Sequence, residues 1–157
     1  MKCNWMIALV LAAACLLSPG CNLFGGSDPG GEWTEAEFSA ASENVIWKVV
    51  LAGLDKRGFP RGAGLDPENM IAVSGWRRAL APFRGEGHQT KARIEITPLE
   101  DDQYTIRVRV LKQLNMALVN PGDARYAEWE WAPDDEIEAK ILMQHFRTYL
   151  DAELGDF

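Results

Sequence analysis

Between residues 90 and 111 apolar and polar positions alternate over two neighbouring runs. Ala92, Ile94 and Ile96 alternate with Lys91, Arg93 and Glu95. Tyr104, Ile106, Val108 and Val110 alternate with Thr105, Arg107 and Arg109. A period of two in both runs, joined by Glu100, Asp101 and Asp102, predicts an antiparallel hairpin of strands 90–98 and 103–111. A turn centred on Asp101 sets Ile94 against Val108, Ile96 against Ile106 and Glu95 against Arg107. Apolar pairs then share one face and opposite charges the other, so the register is self-consistent. Weaker alternation predicts a strand at 69–77 and a last strand at 126–131, after the turn residues Asn120, Pro121, Gly122 and Asp123.

Helical spacing takes over on both flanks. Phe38, Ala41, Val45, Ile46, Val49, Val50 and Leu54 form a stripe. Thr34 and Glu37 match a capping box, with Trp33 and Phe38 as a hydrophobic staple. Gly58 and Pro60 mark the far end, which predicts a helix over 34–57. Pro133, Asp134, Asp135 and Glu136 suit the positive end of a second helix. Its stripe is Ile137, Ile141, Leu142, His145, Phe146, Tyr149 and Leu150. The expected fold is α+β in the order α-β-β-β-β-α, an antiparallel sheet with two helices packed on one face.

Composition narrows the function classes. The chain has 157 residues, 47% hydrophobic and 25% charged, with a formal charge of −7. An acidic chain of this kind argues against nucleic acid as a partner. The charge is unevenly spread. Residues 77–112 hold eight bases and five acids, whereas residues 113–157 hold three bases and ten acids. One reading is compensation inside the fold, with Arg107 and Arg109 facing Glu128 and Glu130 across the sheet. The other is a basic strip of Arg77, Arg78, Arg84, Lys91, Arg93 and Arg109 that meets an anionic partner, such as lipid headgroups, an anionic glycan or an acidic envelope protein.

The first twenty residues differ in kind. Lys2 is the only charge before Asp28, and the apolar run from Trp5 to Leu17 is about 13 residues long. A bilayer span needs about 20. A short positive segment before an apolar core of this length is the layout of a secretory signal peptide. Ser18, Pro19 and Gly20 follow, then Cys21. The segment after it, rich in glycine, reads as a flexible tether. Cleavage before Cys15, cleavage further on with Cys21 a free thiol, and an uncleaved anchor are the competing readings.

Residues 1–21 resemble a bacterial lipoprotein precursor, with Leu16, Leu17, Ser18, Pro19, Gly20 and Cys21 in the place of the lipobox. Ser18 stands where that pattern has leucine, and Pro19 is unusual in it. The resemblance implies cleavage between Gly20 and Cys21 and a diacylglyceryl group on the Cys21 thiol. It implies a signal peptide at 1–20, a lipid-anchored tether at 21–32, a domain at 33–154 and a frayed tail at 155–157. Asn22 is not the aspartate associated with inner-membrane retention, so the periplasmic side of the outer membrane is the expected address. Small tethered helix-on-sheet domains also resemble lipoproteins of outer-membrane assembly machines, by analogy of fold alone.

Candidate chemistry is sparse. The cysteines are Cys3, Cys15 and Cys21, so a chain cut at Cys21 keeps only an acylated one. His88 and His145 are the two histidines, and their spacing assembles no zinc site. Ser74 and Gly75 lack a nucleophile elbow, and no phosphate loop or dinucleotide fingerprint occurs. Neither a catalytic residue, a cofactor nor a metal is expected. Trp129 and Trp131 share a strand face and are assigned to the core. Trp47 and Trp76 are the candidate exposed aromatics. The expectation is a non-enzymatic envelope lipoprotein that binds or assembles a partner. A small-ligand binder with an apolar pocket near Trp47 or Trp76 is the alternative. A hydrolase built on converging carboxylates ranks third.

Overall fold

The computed structural model describes residues 30–80 and 86–155, with side chains described as far as residue 152. It is an α+β fold in which two helices pack on a seven-stranded antiparallel sheet. In chain order the elements are β1 (Thr34–Ser39), α1 (Glu43–Lys56), β2 (Gly64–Asp66), β3 (Ile71–Val73), β4 (Arg77–Ala79), β5 (His88–Pro98), β6 (Gln103–Asn115), β7 (Trp129–Ala132) and α2 (Glu136–Gly155). A short 3-10 turn at Ala124–Tyr126 precedes β7. Among the described residues no helix is long and apolar enough to cross a membrane.

The hairpin of β5 and β6 is the spine. Ile94 pairs with Val108, Ile96 with Ile106 and Glu95 with Arg107, the register that the alternation predicts. Asp101 and Asp102 turn the chain with φ of 56° and 55°, a left-handed region that aspartate tolerates better than most side chains. At one end of the spine β1 joins β6, while β3 and then β2 extend from β5. At the other end β7 joins β6 and β4 joins β5.

The even positions of the spine face the helices. Ala92, Ile94, Ile96, Ile106, Val108 and Val110 bury against Ile46, Val50 and Leu54 of α1 and Leu142, Phe146 and Leu150 of α2. At about 25 cal/mol per Å2 of apolar surface, this cluster is the main source of the fold's stability. The helices touch where Gly53 leaves room: a Cβ there would collide with the buried Phe146 ring.

The element order departs from the expected α-β-β-β-β-α. Residues 34–39 form a strand, not the start of a helix. Thr34, Ala36 and Phe38 face inward, and Glu35 pairs with Arg107. The capping-box pattern therefore serves no helix. The actual N-cap is Ser42, whose Oγ accepts from the Val45 amide at 3.4 Å. Trp33 accordingly leads into a strand and staples no cap. The strand expected at 69–77 divides into β3 and β4. Between them Ser74 is buried, and its hydroxyl accepts from the Ala92 amide at 3.0 Å and donates to the Gly75 carbonyl at 2.8 Å. The last strand starts at Trp129 because the 3-10 turn occupies residues 124–126, and α2 continues to Gly155.

Candidate binding face on the outer side of the sheet

The odd positions of β5 and β6 point away from the helices. Gln89, Lys91, Arg93 and Glu95 lie beside Arg107, Arg109, Leu111 and Gln113. Trp131 stands opposite Gln113 and Trp129 opposite Asn115, which places both on this outer side. That corrects their assignment to the core: they are half-buried and stand outside the helix-facing cluster. The alternation holds over Trp129–Trp131 but not from Tyr126, and its aromatic side is the outer one.

Two aromatic–cation clusters form on this face. In the first, Trp76 and Trp131 approach to 5.9 Å between ring centroids at an interplanar angle of 52°. The Lys91 ammonium lies 4.5 Å from the Trp76 ring, a geometry that the ring quadrupole favours. Nearby, Arg78 donates to Gln89 at 3.2 Å, and Gln89 donates to Gln113 at 2.6 Å. Arg78 and Lys91 make no ion pair with any described carboxylate. In the second cluster, Trp33 lies under Arg107 at 4.8 Å and near Arg93 at 5.8 Å. Glu95 pairs with Arg93 at 2.9 Å and with Arg107 at 3.7 Å, and Glu35 pairs with Arg107 at 3.3 Å. The second cluster is thus electrically balanced, and the first carries the excess positive charge.

The six-residue basic strip does not hold together. Lys91, Arg93 and Arg78 share the outer face. Arg77 points to the helix side, where its Nη1 donates to the Arg57 carbonyl at 2.7 Å and to Glu138 at 3.2 Å, and its guanidinium covers Phe59 at 4.2 Å. Arg109 is buried and ion-paired with Asp134, so it is not a surface contact. Arg84 lies outside the described residues. Compensation across the sheet is present, but with other partners than Glu128 and Glu130: Arg107 meets Glu35 and Glu95, and Arg109 meets Asp134.

The remaining candidates fall elsewhere. Trp47 is half-buried against the core and not an open contact. His145 stacks on Tyr149 at 6.3 Å, and His88 opens β5. No group of three or more His, Cys, Asp or Glu that could hold a metal occurs among the described residues. The carboxyl shifts at Asp55, Asp66, Asp123 and Glu138 all run downward. Hydrogen bonds from Arg61, Asn69 and Arg125 respectively hold the first three down. Burial pushes Glu138 up, but the hydrogen bonds and charges of Arg57 and Arg77 outweigh it. These shifts favour ionised carboxylates, the opposite of what a general acid requires. Gly20, Cys21 and the residues as far as 29 lie outside the described residues.

A scan against protein-family models found no match, and a search of curated proteins found none. The outer face was only partly readable beforehand. Alternation marks Lys91, Arg93 and Trp76, whereas the approach of Trp131 to Trp76 depends on β4, β5, β6 and β7 lying side by side.

Proposed function

We propose that this chain is a non-enzymatic binding module of the bacterial envelope, tethered through an acylated Cys21, that takes an anionic partner on the outer face of its sheet. The observation that carries the reading is the Trp76, Trp131 and Lys91 cluster. Half-buried tryptophans on the side away from the helices, beside a cation with no carboxylate partner among the described residues, offer a ligand both an aromatic face and a positive charge. Indole faces stack on the C–H side of a sugar ring, while Lys91 and Arg78 suit its carboxylates or phosphates. An anionic glycan therefore uses both parts of the cluster. The tether reading rests on the apolar run, the lipobox-like residues 16–21 and the glycine-rich stretch that follows.

The test is a titration of the protein with oligomers of galacturonic acid, followed by tryptophan fluorescence, with a neutral glucan as control. Binding that weakens at least tenfold in Trp76→Ala and in Lys91→Glu, and that falls with salt, supports the reading. Unaltered fluorescence on titration, or equal binding by both folded variants, overturns it.

A further inference from the structure

The link from β6 to β7 presents apolar side chains to solvent on a hydrogen-bonded frame. Leu118 is 96% exposed and Val119 69%, with Met116 and Tyr126 beside them at 45% and 52%. The only other exposed large hydrophobics among the described residues are Leu99 and Ile137, so the exposure is concentrated here. Such clustering marks a contact surface, unlike scattered single residues.

The frame is built around the buried Asn115. Its Oδ1 accepts from the Ala117 amide at 3.1 Å and the Glu128 amide at 3.0 Å, and its Nδ2 donates to the Pro121 carbonyl at 2.9 Å. The Met116 amide donates to the Glu128 carbonyl at 2.8 Å. One buried amide thus ties together the start, the middle and the end of the link. Leu118 and Val119 border a shallow cleft of about 210 Å3 with Ala117, Tyr126 and Glu128. Arg125 pairs with Asp123 at 2.7 Å, whereas the exposed Glu128 carboxylate makes no ion pair with any described residue.

Position supplies the occupant. β1 runs antiparallel to β6, with Thr34 opposite Val108, so the chain before β1 runs toward the C-terminal end of β6. Gly31 lies against Arg109 and Asp134. Six positions separate Arg109 from Asn115, about 20 Å along a strand. The nine residue-to-residue steps from Cys21 to Gly30 can span at most about 30 Å when extended and about 17 Å as a flexible coil. A cysteine anchored in a bilayer and the apolar link can therefore reach the same plane.

We propose that Leu118 and Val119 insert into the interfacial layer of a zwitterionic phospholipid membrane and dock the domain beside its own anchor. The inference rests on the tethered reading of Cys21. The unmatched Glu128 carboxylate beside the cleft and the chain's formal charge of −7 would be repelled by an anionic surface, which favours a zwitterionic one. Docking also fixes the orientation of the sheet's outer face relative to the membrane.

The test uses full-length protein purified from membranes and reconstituted in phosphatidylcholine–phosphatidylethanolamine vesicles. An NBD probe on Leu118→Cys is compared with one on Gln144→Cys, on the exposed side of α2. The expected result is blue-shifted emission at position 118, quenched by shallow doxyl lipids and insensitive to salt, with water-like emission at 144. A Val119→Asp substitution should reduce the fraction of inserted probe about tenfold. Water-like emission at 118 overturns the proposal. So does a shift seen only in native membranes and not in pure vesicles, which would identify a protein partner. The mass of the N-terminal peptide from the same sample reads the anchor separately. An unacylated Cys21 with a shifted 118 probe would sink the tether and leave the insertion standing.

Discussion

Replacing Glu138 with glutamine keeps the side chain's shape and removes the charge that joins α2 to the end of α1 and to β4. The carboxylate accepts from Arg57 Nε and Nη2 at 2.8 Å each and from Arg77 Nη1 at 3.2 Å. Its side chain is 9% exposed, against 31% for Arg57 and 26% for Arg77. Removing one partner of a buried pair costs about 3–5 kcal/mol, much of it the penalty of the charge left behind. Here the two guanidinia left behind keep some access to water, so Glu138→Gln is expected to cost less than that, about 2–3 kcal/mol. That corresponds to a fall in Tm of roughly 6–12 °C for a domain of this size.

The same site sets a pH dependence. The folded pKa of Glu138 lies below its ordinary value. A depressed carboxyl stabilises the fold above its unfolded pKa, and that contribution drains away as pH falls through the folded value. The gap between the parent protein and Glu138→Gln should therefore be widest near neutrality and narrow in acid. Urea unfolding followed by tryptophan fluorescence, at pH 7 and at steps below pH 5, measures both quantities. A difference under about 0.5 kcal/mol at pH 7, the range of ordinary surface substitutions, would refute the ion network as a structural tie. A gap that widens on acidification would refute the direction of the shift.

Two further substitutions probe the packing, and one probes the outer face. Gly53→Ala drives a Cβ into the Phe146 ring, and overpacking of about 1–3 kcal/mol outweighs the gain in helix propensity of about 1; thermal unfolding should show a lower Tm. The Thr90 hydroxyl is fully buried with no hydrogen-bond partner among the described residues, so Thr90→Val should raise stability by about 1 kcal/mol in urea. Trp131→Ala removes the Trp76 contact. It should leave the fold intact by circular dichroism while weakening uronate binding at least fivefold in the fluorescence titration.

The hairpin was legible because two independent signals agree. The apolar alternation and the Glu95–Arg107 pairing select the same register, and β5 and β6 hold it. The stretch 34–39 was not legible, because its residues satisfy two local patterns. Thr34 and Glu37 fit a helix cap, yet Glu35 and Thr34 also fit a strand beside Arg107 and Val108. Only the partner strand decides between them, and a tertiary contact overrides the local preference. Trp129 and Trp131 fail for a related reason. A period of two identifies an apolar side but not which side the helices cover, and here the outer side is aromatic as well.

Charge was half legible. Balance across the sheet follows from the composition of its strands, but the partners depend on register. Glu130 falls opposite Leu114, out of reach of Arg109, whose carboxylate comes from Asp134 just before α2. The Trp76 and Trp131 cluster joins residues 55 positions apart in the chain, and no local pattern encodes that approach. Residues 1–29, which carry the lipobox-like sequence, lie outside the described residues.

Whether the chain is a binding module held on a membrane is tested by the mass of the N-terminal peptide of protein purified from bacterial membranes. The expected peptide begins at Cys21 and carries a diacylglyceryl group on its sulfur. A chain that begins elsewhere, or a free thiol at Cys21, would contradict that reading.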